Sequence, residues 1–189
     1  MPRKKKIDEK VEARIGELED KLLALKADYF GTALDELRLP RGDLAVVTFR
    51  LGPKNFALPL WAVKGISRAV TIIEEGELGP GYLGVINYHD EMVPVLDAAL
   101  ALGAESRDLE LGDHVIYFSA GGRRVALAVT AVIDVETLDG EKVIPAGEAG
   151  LPRRPFLGAY DQGGTLLRLL EPAALLPDVG GTKSPRSKK

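Results

Sequence analysis

The sequence predicts a mainly β protein, built as two similar small barrels behind an N-terminal helix. Three observations carry that reading: a pattern written twice, short β-like runs separated by turns, and one heptad seam near the start. In the repeat, Val46 aligns with Val115, Phe49 with Phe118, Gly52 with Gly121, and Ala57-Leu58 with Ala126-Leu127. Ala62-Val63 aligns with Ala131-Val132, and Ile66 with Val135. After a longer loop in the second copy the match resumes: Leu83-Gly84 with Leu157-Gly158, Leu96 with Leu170, Asp97 with Glu171 and Ala99 with Ala173. A unit of this length present only twice points to a duplicated small domain rather than a solenoid.

Residues 7–37 read as one helix. Val11, Ile15, Leu18, Leu22, Leu25 and Tyr29 recur at alternating spacings of four and three, with Glu12, Glu17, Glu19, Asp20, Lys21 and Lys26 on other faces. Gly16 lies inside it at a cost of about 1 kcal/mol against Ala. Pro40 and Gly42 end it, so residues 1–42 form a helical extension. Each large apolar side chain gains about 1.5–3 kcal/mol on full burial. The seam is therefore expected to be buried against its own domain, a partner, or a second copy, the last giving self-association through the helix.

From Asp43 the text turns to short strands. Leu44–Leu51 is followed by a Gly52-Pro53-Lys54-Asn55 turn, then Phe56–Leu60 and Val63–Arg68. Tyr82–Tyr88 and Met92–Leu96 form a hairpin across His89-Asp90-Glu91, and Asp97 caps a short helix, Ala98–Leu102, closed by Gly103. The second copy repeats this with His114–Ser119, Arg124–Val129, Val132–Thr137, Phe156–Tyr160 and Thr165–Leu170. Its closing helical turn starts at Pro172, and Glu171 is expected to share the capping role of Asp97. Five short strands per copy close most easily into a small barrel. The barrels are placed at about 43–103 and 104–178 within one domain, 43–178, and 179–189 is a basic, disordered tail.

The composition excludes several chemistries. The chain has 189 residues, 46% of them hydrophobic, a net charge of −3 and no cysteine, so disulfides and thiolate metal sites are impossible. The charge is unevenly placed: an acidic body between basic ends, which does not suit a nucleic-acid surface. No apolar run is long enough for direct membrane insertion. The two histidines, His89 and His114, are isolated from carboxylates at ligand spacing and read as surface residues. No phosphate-binding glycine motif and no nucleophile elbow is present. No metal, cofactor or catalytic residue is therefore expected, and the chain reads as a binding protein rather than an enzyme.

Gly84-Val85-Ile86-Asn87, then Val93-Pro94-Val95-Leu96-Asp97 and a short helix to Leu102-Gly103, resembles the signature of the CheW-like family of chemotaxis coupling proteins. Phe49-Arg50-Leu51-Gly52, Phe56-Ala57-Leu58-Pro59-Leu60, Val63 and Ile66 resemble its opening strands, and Val129 with Val132-Ile133-Asp134-Val135 the matching segment of the second copy. The resemblance covers about Asp43 to Pro177. It implies two intertwined, five-stranded, SH3-like β-barrels. It also implies a non-catalytic cytoplasmic adaptor, at membrane receptor arrays, that joins the cytoplasmic tip of a chemoreceptor to the regulatory domain of a CheA-type histidine kinase.

By the same resemblance, receptor contacts fall in the groove beside the first barrel, on Val63 and Ile66, and on the turn Asn87, Tyr88, His89 and Asp90. The chain departs from the family there: Asn87-Tyr88-His89-Asp90 stands where the family has Asn-Leu-Arg-Gly. A permanent cation gives way to an imidazole, and an acid follows it. An acidic receptor tip is expected to be repelled. The second reading is a divergent structural or polar-localisation scaffold with other partners, anchored through helix 7–37. The third is an enzyme whose site is hidden in the groove between the barrels.

Overall fold

The structure, a computed structural model, describes residues 10–22, 42–69, 71–75, 78–103, 110 and 112–177. A helix, α1, spans 10–22. The expected helix beyond residue 22, with Leu25 and Tyr29, lies outside the described residues, as does the tail 179–189. The strands are β1 (Asp43–Leu51), β2 (Lys54–Pro59), β3 (Val63–Arg68), β4 (Tyr82–Tyr88), β5 (Glu91–Leu96), β6 (His114–Ala120), β7 (Arg123–Val129), β8 (Ala131–Asp139), β9 (Ile144–Pro145), β10 (Phe156–Gln162) and β11 (Thr165–Leu170). A short helix α2 (Ala98–Ala101) and two 3-10 turns, η1 (Gly140–Lys142) and η2 (Pro172–Leu175), complete the order.

The two copies of the repeat exchange strands. One sheet runs β8-β1-β2-β11-β10-β9 and the other β3-β6-β7-β5-β4. The repeat equates β1 with β6, β2 with β7, β3 with β8, β4 with β10 and β5 with β11. Apart from the added β9, the two orders are thus the same list with the copies interchanged. Two parallel pairings join the copies, Leu167–Leu169 of β11 beside Asn55–Ala57 of β2 and Val95-Leu96 of β5 beside Ala126-Leu127 of β7. The spans 43–103 and 104–178 are therefore not two barrels in succession; each sheet takes strands from both. Strand alternation is blind to which copy supplies the neighbour, so the exchange is the intertwining that the family resemblance implied and that periodicity alone does not mark.

The core has three parts. One cluster, with Val46, Ala57, Leu167 and Leu169, fills the inside of the first sheet. Its counterpart, with Val115, Tyr117, Ala126 and Val95, fills the second. The largest cluster lies between the sheets and includes Val47, Phe49, Leu58, Ile116, Phe118 and Leu127. β1 therefore sends Leu44 and Val46 into one cluster and Ala45, Val47 and Phe49 into another. This double burial is why Leu44–Phe49 reads as a nearly unbroken apolar run. Leu18 and Leu22 of α1 belong to the cluster between the sheets, at 0% and 4% exposure. Of the three expected fates for the heptad seam, its own domain is the one the structure shows, for Ile15, Leu18 and Leu22; Val11 is half-buried.

The repeated Leu-Gly pairs have a backbone cause. A Cβ on Gly84 would stand 2.3 Å from the carbonyl oxygen of Ile73, and one on Gly158 would stand 2.4 Å from that of Ile144. In each copy the segment before the fourth strand presses its backbone onto that strand, as an Ile73–Val85 bridge in one and as β9 in the other.

Two expectations need correction. Asp97 caps α2 by accepting from the Leu100 amide at 3.1 Å, but Glu171 makes no capping hydrogen bond to η2. Glutamate is a poorer N-cap than aspartate, and Pro172 already supplies the helical φ. His114 is not a surface residue: it is 7% exposed, on the interior strand β6 between β3 and β7. Burial lowers its pKa below the ordinary histidine value, Asp113 working against the shift and Arg68 with it.

A folded-state pKa below the unfolded one means that the unfolded chain binds the extra proton first. His114 thus contributes nothing against stability above about pH 6.5, and destabilises as pH falls below that value. Denaturant midpoints measured at pH 7.5 and 5.5 should fall for the wild type by more than for His114→Gln. For Leu18→Ala, a cavity in the cluster between the sheets predicts a loss of about 2–5 kcal/mol in chemical denaturation.

Candidate functional site at the junction of the two sheets

β3 ends one sheet and β8 ends the other, so two repeat-equivalent edge strands are left to be covered. α1 lies between them. On one side Arg14 donates to the backbone carbonyl of Ile133 at 2.6 Å, and Lys21 pairs with Asp134 at 2.5 Å. On the other, Arg68 of β3 pairs with Glu12 at 3.3 Å. Burial pushes the Asp134 carboxyl up, but the hydrogen bonds from Lys21 and from the Val135 amide outweigh it and leave its pKa below the ordinary value. Both ion pairs are largely solvated, so they orient the helix more than they hold it.

Beside α1, where it meets β3, an open depression of about 310 Å³ is lined by Glu12, Ile15, Gly16, Glu19, Ile66, Ser67 and Arg68. A Cβ added to Gly16 would meet nothing within 4 Å.

The structure brings the expected site residues to one side of the second sheet, though not all to its surface. Val63 and Ile66 of β3 are buried in the cluster between the sheets, at 0% and 1% exposure, and Ile66 forms part of the floor under α1. Asn87, His89 and Asp90 are exposed at the β4–β5 hairpin, with Tyr88 half-buried. Tyr88 connects the two groups. Its ring stacks on Tyr117 at 3.7 Å and 16°, and a Cβ on Gly65 would lie 2.0 Å from its hydroxyl. β3 and β4 are opposite ends of their sheet, so this contact curls the sheet closed. In the other sheet the equivalent closure is polar: Gln162 of β10 donates to Glu136 of β8 at 2.8 Å.

Tyr117 in turn shares a 3.1 Å hydrogen bond with Ser67. Burial raises the pKa of the Tyr88 phenol, Glu19 of α1 raises it further, and Arg124 opposes. The phenol is therefore a neutral donor at physiological pH. Gly65, Ser67, Arg68 and Tyr117 were not singled out from sequence. Only a glycine inside a strand, Gly65, together with an aromatic hairpin could have hinted at them.

The turn itself is strained. His89 and Asp90 have φ of 51° and 63°, left-handed values at both central positions of a two-residue hairpin. In the equivalent β10–β11 hairpin those positions are Gly163 and Gly164. The supporting hydrogen bond is common to both: the Asp90 amide donates to Asn87 at 3.2 Å, and the Gly164 amide to Asp161 at 2.7 Å. One turn therefore keeps two side chains in a conformation that the other leaves to glycine. Among the described residues no group of three or more His, Asp or Glu could hold a metal ion.

Comparison with known proteins adds the following. A family model described as the CheW-like domain matches residues 45–180. A relative from Rhizobium etli, described as a probable chemotaxis protein CheW, is 34% identical over 145 residues, covering 75% of this chain and 92% of its own length. A chemotaxis protein CheW from Rhizobium meliloti is 30% identical over 108 residues, covering 57% of this chain and 69% of its own. The crystal structure of the scaffolding protein TtCheW from Thermoanaerobacter tengcongensis matches with a TM-score of 0.65 at 21% identity, over 75% of this chain and 97% of that one. At that identity the likeness bears on the fold. α1 lies before the family match begins.

The turn generates a prediction. Replacing His89-Asp90 by Asn-Gly reduces the left-handed penalty at residue 89, removes it at residue 90, and should raise stability by roughly 1 kcal/mol. The same change should leave the far-UV circular dichroism unaltered. Equal or lower denaturation midpoints would show that the two side chains make compensating contacts.

Proposed function

The chain belongs to the CheW-like family, and from that premise we propose that it is a non-catalytic adaptor linking a chemosensory receptor to a CheA-type histidine kinase. The observation that carries the proposal is the family match over 45–180 in a chain whose two sheets share one core. An adaptor must hold two partners in a fixed relation. Exchanged strands do that better than two barrels on a linker, because neither sheet can turn without breaking the parallel pairings between copies. The proposal places the protein in the cytoplasm, beside membrane receptors. Among the described residues no helix is long and apolar enough to cross a membrane.

On this reading the receptor contact is the hairpin Asn87–Asp90 with the β3 surface around Ile66, and the kinase regulatory domain uses the other barrel. The turn favours a second reading, a scaffold of the same fold with changed partners. Asp90 adds an anion where the family has glycine, and His89 offers one donor where arginine offers a fork.

Isothermal titration of the full-length chain separates these readings. A CheA-type regulatory domain is expected to bind the wild type and the double variant His89→Arg, Asp90→Gly equally. A receptor tip hairpin is expected to bind the double variant roughly tenfold more tightly, the worth of one charge-assisted hydrogen bond. Equal receptor affinity for both proteins would remove the argument from the turn. Binding to neither partner would remove the adaptor reading.

A further inference from the structure

Three rings run from the tip of the β4–β5 hairpin into the second sheet. The His89 ring meets Tyr88 edge-on at 4.3 Å and 70°, and Tyr88 stacks on Tyr117. The row ends at Ser67, which shares a hydrogen bond with the Tyr117 hydroxyl. Its other anchor is Gly65, where any Cβ would collide with the Tyr88 hydroxyl. Tyr88 is thus gripped from β6 and β3, neither of which neighbours β4 in the sheet order.

The twin hairpin has none of these rings. There the repeat puts Gln162 in the place of Tyr88, Thr48 in that of Tyr117 and Asp134 in that of Gly65. Its central turn residues are Gly163 and Gly164, which hold positive φ at no steric cost. The copy with the row of rings is the copy that carries side chains, His89 and Asp90, at positive φ. The edge contact with Tyr88 offsets part of the penalty at residue 89, and the Asp90 amide is tied to Asn87. An exposed turn that glycine would relax, held instead with two polar side chains, points to a use for those side chains.

From these facts we propose that Tyr88 is a positioning residue for the tip. Stacked on Tyr117 and seated over Gly65, it sets the direction of His89 and Asp90 and presents them as one preorganised contact. A tip already held in its binding conformation loses less freedom when a partner docks. The inference deepens the receptor-contact reading and rests on it only for the partner's identity; the hold of Tyr88 on the tip stands without it.

The test uses the full-length chain with Tyr88→Phe, Tyr88→Leu, Gly65→Ala, and the last two combined. Unaltered far-UV circular dichroism shows which variants are folded. Backbone nitrogen relaxation reads the order of residues 89 and 90 directly. Tyr88→Phe keeps the stack, so its order parameters should match the wild type at about 0.85, while Tyr88→Leu and Gly65→Ala should fall below about 0.6. Leucine is too short to meet residue 65, so Gly65→Ala should add nothing in the Tyr88→Leu background. In titration calorimetry Tyr88→Phe should bind a receptor tip hairpin within about twofold of the wild type. Tyr88→Leu should bind it about tenfold more weakly, as when only about a tenth of tips are competent. A CheA-type regulatory domain should bind every folded variant as it binds the wild type. A tip as ordered in Tyr88→Leu as in the wild type, a tip as disordered in Tyr88→Phe as in Tyr88→Leu, additive effects of the two substitutions, or equal weakening of both partners would overturn the inference. Loss of tip order in Tyr88→Leu with unchanged receptor affinity would keep the positioning role and remove the receptor reading.

Discussion

The rest of the structure depends on the reciprocal exchange of strands between the two copies. Each sheet is completed by a parallel pairing to the other copy, β2 with β11 and β5 with β7. Parallel neighbours cannot be joined by a tight turn, so they must be brought together by the packing of everything between them. That packing is the cluster between the sheets, which draws Phe49 and Leu58 from one copy and Phe118 and Leu127 from the other. Separating the copies would expose the apolar faces of β1, β2, β6 and β7 together. The two sheets therefore form one cooperative body, and the relation between their outer faces is fixed.

The exchange also decides where the protein is exposed to association. β3 and β8 are equivalent strands, and each ends its sheet on the same side of the molecule, next to α1. Unpaired strand edges invite other chains. Here the edges are managed by a helix that satisfies the Ile133 carbonyl and lays Leu18 and Leu22 into the core. The second closure, Tyr88 over Gly65, protects the barrel below but leaves the hairpin tip in solvent. Strain at His89 and Asp90 is concentrated at that tip, while the matching Gly163-Gly164 turn is relaxed.

Much of the fold was legible in the sequence, because the duplicated residues are those with the fewest alternatives. Val46 and Val115 are equivalent because both fill a barrel interior, and Gly84 and Gly158 because both meet a backbone carbonyl. The seam Ile15, Leu18 and Leu22 was legible because helical periodicity survives whatever it packs on. Three features were not legible in the residue pattern itself. The strand exchange leaves alternation unchanged, and only the family resemblance implied it. The burial of His114 follows from the central place of β6, a property of topology rather than of local text. The stack of Tyr88 on Tyr117 joins strands that are neighbours only after the sheet has curled. In the candidate site, the exposed turn 87–90 could be read directly, but the groove beneath α1 could not. Its walls come from α1 and β3, which are distant in sequence, and Ile66 is indistinguishable from core until the helix above it is seen.

α1 has two demands on it that conflict. Covering two sheet edges calls for tight, permanent packing, and its Leu18 is as buried as any core residue. Yet the helix has a glycine on the side of an open depression, and its flanking charges are paired in water. If edge protection were its whole role, an alanine at residue 16 would improve the helix at no steric cost, since a Cβ there meets nothing. The glycine weakens the helix beside an open depression, where its lost side chain leaves no buried void. The cover is therefore held by its buried stripe, Ile15, Leu18 and Leu22, and not by helix propensity or by its solvated ion pairs.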